Sequence, residues 1–198
     1  MSIKDSVARK SPQQNRVSLH KNILDIPFLN KRSLSRQFND VLGLLCLDYV
    51  AVSMISSHQE MVILSSMPSL EFNLIDSGLW QYDDFFALSG WQQAEWCGLY
   101  DAEKFFALKQ FKEKEYQFKH TLHARHQIDG KEVIYSFATK QAQATFSISN
   151  LETLFCIGAH CYRGFASIFH DVFAESSVIV RSNIIAVDFN NRILRQED

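Results

Sequence analysis

Apolar residues recur at steps of three and four along Asn150–Phe173, and this spacing predicts one long amphipathic α-helix. Asn150 is suited to accept a hydrogen bond from an early backbone N–H, so we expect it to be the N-cap. A helix of this length supplies the apolar face that the strands before it need to close a core. Its apolar positions are Leu151, Leu154, Phe155, Cys161, Tyr162, Phe165, Ile168, Phe169, Val172 and Phe173.

Shorter helices are predicted where a capping residue precedes an apolar stripe. Ser33, Ser69 and Asp101 are the expected N-caps of the second, third and fourth of them. The first is interrupted near Pro27, because proline removes a backbone donor. The four predicted helices are Val17–Leu29, Leu34–Cys46, Leu70–Leu79 and Ala102–Tyr116.

Strands are predicted from runs of β-branched and aromatic residues. Leu47–Ser56 and Glu60–Ser65 form one antiparallel pair around a turn at Ser57–Gln59. The clearest local signal is Asp129–Gly130, because both central residues of a two-residue hairpin turn need a positive φ. The arms of that second hairpin are His120–Ile128 and Lys131–Thr139.

Two further regions have weaker extended patterns. Ala144–Ile148 is predicted to add a strand immediately before the long helix. Beyond Phe173, Val178–Val180 and Ile184–Val187 are predicted to be extended, with Asn190–Asn191 as the turn of a last hairpin.

The order of these elements favours an α+β fold, in which an antiparallel β-sheet is flanked by helices as an α/β/α sandwich. At 198 residues the chain suits one domain. We divide it into a flexible, basic arm at 1–16, a single α/β domain at 17–175 and a C-terminal extension at 176–198.

Composition and charge exclude several classes of function. A net charge of −2 and a pI of about 6.4 give no global attraction to nucleic acid. No apolar run approaches the roughly 20 residues that cross a bilayer, and the first residues lack the apolar centre of a secretory signal. The four cysteines are spread through apolar segments, which is typical of reduced thiols. These features predict a cytoplasmic protein without a membrane span.

Candidate catalytic and metal-binding groups are sparse. His120, His123 and His126 recur at every third position, but on a strand His123 points away from the other two. Cys156 and His160 lie one helical turn apart without a second pair of ligands. The sequence has no phosphate-binding, serine-hydrolase or zinc-protease motif. We therefore expect no enzyme activity, no metal and no cofactor.

The aromatic segment Trp80–Gly98 is the strongest candidate binding region, because it holds all three tryptophans and two aspartates. Apolar walls with a few polar anchors are the composition of a small-molecule pocket. A packed aromatic core under an irregular cover is the more ordinary interpretation of the same rings. The candidate ligand-binding residues are Phe72, Trp80, Tyr82, Asp84, Phe86, Trp91 and Trp96.

The order of helix, strand pair, aromatic segment, hairpin and long helix resembles the N-terminal sensor domain of LuxR-type bacterial regulators. The shared features are a second strand that leads into Ser66-Met67-Pro68, then Phe72, then Trp80–Phe86, and finally residues 137–165. The last of these is similar to the sheet-to-helix passage in LuxR-like regulators of intracellular bacteria. The resemblance covers about Leu34–Phe173. It implies a PAS/GAF-like α/β/α sandwich that binds acyl-homoserine lactones or other small signals.

Residue by residue, the resemblance implies an altered pocket. Phe72 stands where the family's lactone-holding tryptophan lies and has no N–H to donate, and the family's tyrosine falls near Asp76. Asp84 matches the aspartate that takes the signal's amide, but Phe85 replaces the proline that follows it. A different apolar ligand, or none, remains open. The family's helix-turn-helix has no counterpart in Ala174–Asp198, so we expect no direct DNA binding.

These observations favour a non-catalytic, sensor-like domain that binds a small apolar molecule or a partner protein and acts in regulation. The outer stripe of the helix at 150–173 is predicted to present a homodimer surface. The alternative is a secreted bacterial effector or interaction protein, translocated into a host cell, that uses the same fold without a ligand. An enzyme from an unrecognised family is a third hypothesis.

Overall fold

A five-stranded β-sheet lies at the centre of the fold, and the computed structural model describes residues 17–82, 102–143 and 148–194 of the chain. Two short 3₁₀ turns, at Leu44–Cys46 and Leu79–Tyr82, connect some of the longer elements. The strands are β1 (Ser18–Leu19), β2 (Tyr49–Ile55), β3 (Glu60–Ser65), β4 (His120–Ile128) and β5 (Lys131–Thr139). The helices are α1 (Asp25–Leu29), α2 (Lys31–Asn39), α3 (Pro68–Asp76), α4 (Ala102–Glu115) and α5 (Ile148–Leu194).

The sheet has the strand order β1-β3-β2-β5-β4, with β2 at its centre. Three of the four pairings are antiparallel, as predicted, and β1 pairs in parallel with β3. The sheet is therefore mixed rather than purely antiparallel. Strand β1 comes from residues predicted to be helical. It forms because the backbone N–H groups of Ser18 and His20 donate hydrogen bonds to carbonyl groups along the edge of β3.

The hairpin of β4 and β5 confirms the signal at its turn. Asp129 has a φ of 51° and Gly130 a φ of 71°, so both central residues lie in the left-handed region that a type I′ turn requires. The two arms have the predicted bounds and remain in register from Ile128 and Lys131 to His120 and Thr139. β4 is the edge strand on this side of the described sheet.

One face of the sheet packs against α2 and α5 with large side chains. The sheet contributes Tyr135, Phe137 and Leu64, all at most 1% exposed. Helix α2 contributes Phe38, whose ring centroid lies 5.0 Å from that of Phe165 on α5. Cys161, Phe165, Ile168, Phe169 and Phe173 extend this contact along α5, which confirms its predicted apolar stripe.

The opposite face packs against α3 and α4. Leu70 and Leu74 of α3 and Leu108 of α4 are buried against it, together with Phe118 just before β4. The architecture is thus α+β, with helices on both faces of the sheet. This layering confirms the predicted fold class.

Three of the N-terminal predictions are wrong. Val17–Leu29 is a short strand followed by a turn and one helical turn, in which Pro27 occupies the third position, where its missing N–H costs no intrahelical bond. Ser33 lies inside α2 rather than at its N-cap, because α2 follows α1 after Asn30 alone. The helix predicted to reach Cys46 ends at Asn39, and Gly43 then adopts a φ of 87°, outside the helical region.

Helix starts were placed slightly too late at two other sites. Pro68 begins α3 before the predicted cap Ser69, as expected of a proline at the first helical position. α3 also ends at Asp76 rather than Leu79, and the chain turns at Gly78 with a φ of 68°. α5 begins at Ile148, so Asn150 is inside the helix and the strand predicted to end at Ile148 is wrong there. Residues 144–147, and the predicted cap Asp101, lie outside the described residues.

The extended segments predicted after Phe173 are also wrong. Val178–Val180, Ile184–Val187 and Asn190–Asn191 all belong to α5, which continues to Leu194. No glycine or proline follows Gly164, so nothing interrupts the backbone bonds once the helix is nucleated. Propagation thus outweighs the local β preference of the valines and isoleucines. The domain boundaries at 16 and 175 stay predictions.

Candidate functional site

The predicted binding residues are only partly brought together. Trp80 and Tyr82 lie in the 3₁₀ turn after α3 and pack, half-buried, against the core on the α3 and α4 face. Phe72 is 48% exposed on the outer side of α3 and does not join them. Asp84, Phe86, Trp91 and Trp96 lie outside the described residues.

The α3 and α4 face of the sheet carries a row of small and polar residues that the sequence reading missed. Ser65, Ala51, Ser136 and His123 are cross-strand neighbours on β3, β2, β5 and β4, and we refer to them as the Ser136 row. Three of these residues, Ser65, Ala51 and Ser136, are at most 4% exposed. The corresponding row on the other face includes Leu64, Val52 and Tyr135 and is filled by side chains.

A small cavity lies over one end of the Ser136 row, at Ser136 and His123. Its volume is about 20 Å³, and its lining includes Tyr49, Ser53, Glu71, Lys112, His123 and Ser136. Such a space holds about one water molecule. A bound drug-sized ligand needs roughly 300 Å³ or more. A small molecule can therefore occupy this face only if the helical layer over the cavity moves.

Two polar contacts border the cavity. The Tyr49 hydroxyl donates to the Glu71 carboxylate over 2.6 Å, and both residues are at most 9% exposed. His123 Nδ1 and the Ser136 hydroxyl lie 2.8 Å apart. The Glu71 carboxylate on α3 and the His123 imidazole on β4 are groups that can orient a ligand through hydrogen bonds.

The position of Glu71 in the sequence was the feature that could have revealed this site. Met67, just before α3, and Glu71 and Ile75 within it recur at intervals of four residues, so they lie on one side of the helix. A charged residue therefore stands between two apolar ones on that side. A buried carboxylate needs a partner, and Tyr49, at the start of β2, supplies one. The partner could not be identified from sequence, since it lies 22 positions earlier in the chain.

His126 belongs to a separate contact on the α5 face. Its Nε2 lies 3.2 Å from the Tyr135 hydroxyl, and its ring packs 4.7 Å from the Tyr135 ring and 5.0 Å from the Phe155 ring. Burial lowers the pKa of His126 and raises the pKa of Tyr135, since desolvation disfavours both charged forms. His123 and His126 therefore face opposite sides of the sheet, as the alternation predicted.

Three of the four cysteines lie within the described residues. Cys46, Cys156 and Cys161 are free thiols. Burial raises the pKa of Cys161 to about 12, which keeps this thiol protonated and unreactive at neutral pH. In the described ranges, no three His, Cys, Asp or Glu side chains are grouped so as to hold a metal ion.

Comparison with protein-family models, with curated proteins and with solved structures found no match for this chain. The similarity to LuxR-type sensor domains therefore stays a prediction from the sequence. Of the helices that the structure describes, none combines the length and the apolar character needed to cross a bilayer.

Proposed function

We propose that this chain is a non-catalytic, sensor-like regulatory domain that binds a small apolar molecule on the α3 and α4 face of its sheet. The observation that carries the proposal is the difference between the two faces of the sheet. Large side chains fill the α5 face, whereas the Ser136 row leaves a cavity bordered by Tyr49 and Glu71. Proteins fill their interiors closely, so small residues under a half-buried aromatic layer favour a binding surface.

Ligand binding on this face would change the structure and not only fill a space. Because the cavity holds about one water, the bound state needs α3, α4 or both to move away from the sheet. Such a ligand favours the open arrangement by its differential affinity for the two states. This coupling supplies a regulatory output without chemistry.

Association through α5 is the proposed route from binding to regulation. The exposed positions of its described part are mainly polar and include Glu152, His160, Arg163 and Asp171. Phe155, at 42% exposure, is the large apolar side chain at its surface. We propose that a homodimer through this helix would use a polar interface of moderate affinity, in the cytoplasm of a bacterium.

A thermal-shift screen tests the ligand proposal. The purified chain is heated with acyl-homoserine lactones, free fatty acids and other small amphipathic molecules. A ligand at 100 times its dissociation constant stabilises the native state by about 2.7 kcal/mol, which corresponds to roughly 5–10 °C for a chain of this size. The proposal is contradicted if no member of the panel moves the melting temperature.

A substitution in the Ser136 row locates the site. Ser136→Val adds volume to the cavity wall and should abolish the ligand-induced shift, with some loss of basal stability. Ser69→Val on the exposed side of α3 is the matched control and should retain the shift. If Ser136→Val folds and still binds with unchanged affinity, the ligand lies elsewhere.

The second candidate is an interaction protein that uses this fold without a ligand and acts after translocation into a host cell. It is favoured by the cavity volume of about 20 Å³, which holds no more than about one water molecule while α3 and α4 stay in place. Appending a translocation reporter and measuring its delivery into host cells would distinguish this candidate from a cytoplasmic sensor.

A further inference from the structure

The most exposed large apolar side chains in the described part of the chain are two neighbours at the end of α1. Phe28 is 74% exposed and Leu29 is 83% exposed. Leu24 and Phe72 are exposed beside them, and Phe28, Leu24 and Phe72 line one shallow groove between α1 and α3. We refer to Leu24, Phe28, Leu29 and Phe72 as the α1 patch.

Local packing fixes the α1 patch in its exposed position. Ile26 and Pro27 are the buried residues of α1, so the helical turn places Phe28 and Leu29 on its outer side. The Asn30 side chain donates to the Ile26 carbonyl over 2.9 Å and closes the end of the turn. The two apolar residues are therefore held outward by the fold.

Exposed basic residues flank α1 along the chain. Lys21, Lys31, Arg32 and Arg36 are all exposed, whereas Asp25 is the acidic residue of this stretch. Lys31 and Arg32 follow Leu29 by two and three positions, so their flexible side chains reach the same surface. This local excess of positive charge contrasts with the net charge of −2 for the chain as a whole.

We propose that the α1 patch is a peripheral membrane-binding surface that docks on an anionic lipid bilayer. Phe28 and Leu29 enter the boundary between head groups and acyl chains, while the lysines and arginines contact the anionic head groups. The long basic side chains keep their charges in the head-group layer as the apolar pair inserts. Such binding needs no membrane-spanning helix.

The form of the surface favours a bilayer over other anionic partners. A nucleic acid would attract the basic residues, but its phosphate backbone offers no apolar phase for Leu29. A folded protein would need a recess for two side chains that are about three-quarters exposed or more. A bilayer accepts a projecting apolar pair without a preformed recess, and the charge complementarity supplies the attraction.

Vesicle co-sedimentation of the full chain tests the proposal. The vesicles contain phosphatidylcholine alone, or phosphatidylcholine with about 30% phosphatidylglycerol as the anionic lipid. We expect binding to the anionic vesicles in 0.1 M salt and much weaker binding in 0.5 M salt, because screening shortens the electrostatic range. Neutral vesicles should bind the chain at least tenfold more weakly.

Variants separate the apolar and the basic contributions. Phe28→Ser with Leu29→Ser should weaken binding to anionic vesicles about 100-fold, since both apolar insertions are lost. Lys31→Gln with Arg32→Gln should weaken it about 25-fold, roughly fivefold for each charge. Phe28→Trp should retain binding or strengthen it, because tryptophan suits the membrane interface.

Phe106→Ser is the matched control. Phe106 is 59% exposed on α4, in a segment that carries both signs of charge, and its loss should leave vesicle binding unchanged. All four variants change exposed residues, so circular dichroism should show an unchanged fold. The proposal is overturned if the wild-type chain does not sediment with anionic vesicles, or if Phe106→Ser weakens binding as much as the α1 double variant. Capture of an acidic protein or of nucleic acid through Phe28 and Leu29, without vesicle binding, would equally overturn it.

Discussion

Replacing Gly158 by alanine tests the closest contact between α5 and the sheet. A Cβ added at Gly158 would lie 2.3 Å from Cγ and Cδ2 of the Tyr135 ring and 2.9 Å from its Cβ. Ordinary carbon–carbon contacts are about 3.5–4.0 Å. Tyr135 is fully buried and packs against the rings of both His126 and Phe155, which restricts its movement.

The sign of the effect is the informative quantity. Glycine to alanine inside a helix normally stabilises a protein by about 1 kcal/mol. Overpacking a filled core costs about 1–3 kcal/mol, and the short distances at Gly158 place the cost near the upper end. We therefore expect Gly158→Ala to lower the free energy of unfolding by about 2 kcal/mol, which corresponds to a fall of roughly 4–8 °C in melting temperature.

Gly164→Ala is the control on the same helix. There the added Cβ would meet the side chain of Gln37, which is only half-buried. Gln37 can rotate away at the cost of a weak 3.4 Å bond to the His160 carbonyl. The helix-propensity gain should then prevail, so we expect a change between zero and a stabilisation of about 1 kcal/mol.

Urea denaturation followed by circular dichroism measures both variants. The two free energies of unfolding should differ by about 2–3 kcal/mol, with Gly158→Ala the less stable. If Gly158→Ala instead gains stability as Gly164→Ala does, α5 does not cross β5 at this residue, and the packing described for that face is wrong.

Three further predictions concern single contacts. Tyr49→Phe removes the hydroxyl that donates to buried Glu71 and should destabilise the fold by about 1–3 kcal/mol in urea denaturation; an unchanged midpoint would contradict the contact. Because burial lowers the pKa of His126, the unfolded chain binds the proton at a higher pH than the folded chain does, so the free energy of unfolding should fall as the pH drops through about 6.5. The variant His126→Gln should show a smaller fall between about pH 7.5 and 5.5. Equal slopes for the two proteins would refute this prediction. Gly130→Val places a β-branched residue at a φ of 71° and should lower the free energy of unfolding by about 1–2 kcal/mol, whereas Gly130→Asn should lower it less. Calorimetry that ranks the two variants in the opposite order would exclude the type I′ turn.

The elements that could be predicted from sequence are those fixed by local chemistry. The Asp129–Gly130 turn set both arms of its hairpin, since few residues other than glycine and aspartate accept a positive φ at those positions. The strand Glu60–Ser65 had the predicted bounds, and the apolar stripe of α5 was correct from Leu154 to Phe173 except at Phe155, which is 42% exposed. In each case the signal and the structure lie within the same few residues.

The errors arise where distant contacts decide. β1 forms because the edge of β3 offers it backbone partners, and nothing in residues 17–29 encodes that edge. The N-cap assignments at Ser33, Ser69 and Asn150 placed the helix start three, two and three residues late, because a serine or asparagine can lie within a first turn as well as before it.

The candidate site was predicted by composition, and composition identified only part of it. Trp80 and Tyr82 do pack on the face that holds the cavity, but the serines of the Ser136 row carry no distinctive sequence signal. Their significance depends on strand register, which aligns residues from β3, β2 and β5 in one row. Register is a tertiary property, so a reading of isolated segments does not reveal it.

The unequal filling of the two sheet faces has a consequence for how this protein can change over evolutionary time. Substitutions under α5 meet a tightly filled layer, where almost any change of volume lowers stability. Substitutions at Ser53 and Ser136 meet a cavity. Stability thus restricts substitution on one side of the molecule, whereas ligand binding restricts it on the other, so related chains that bind different ligands should differ most among the residues that line this cavity.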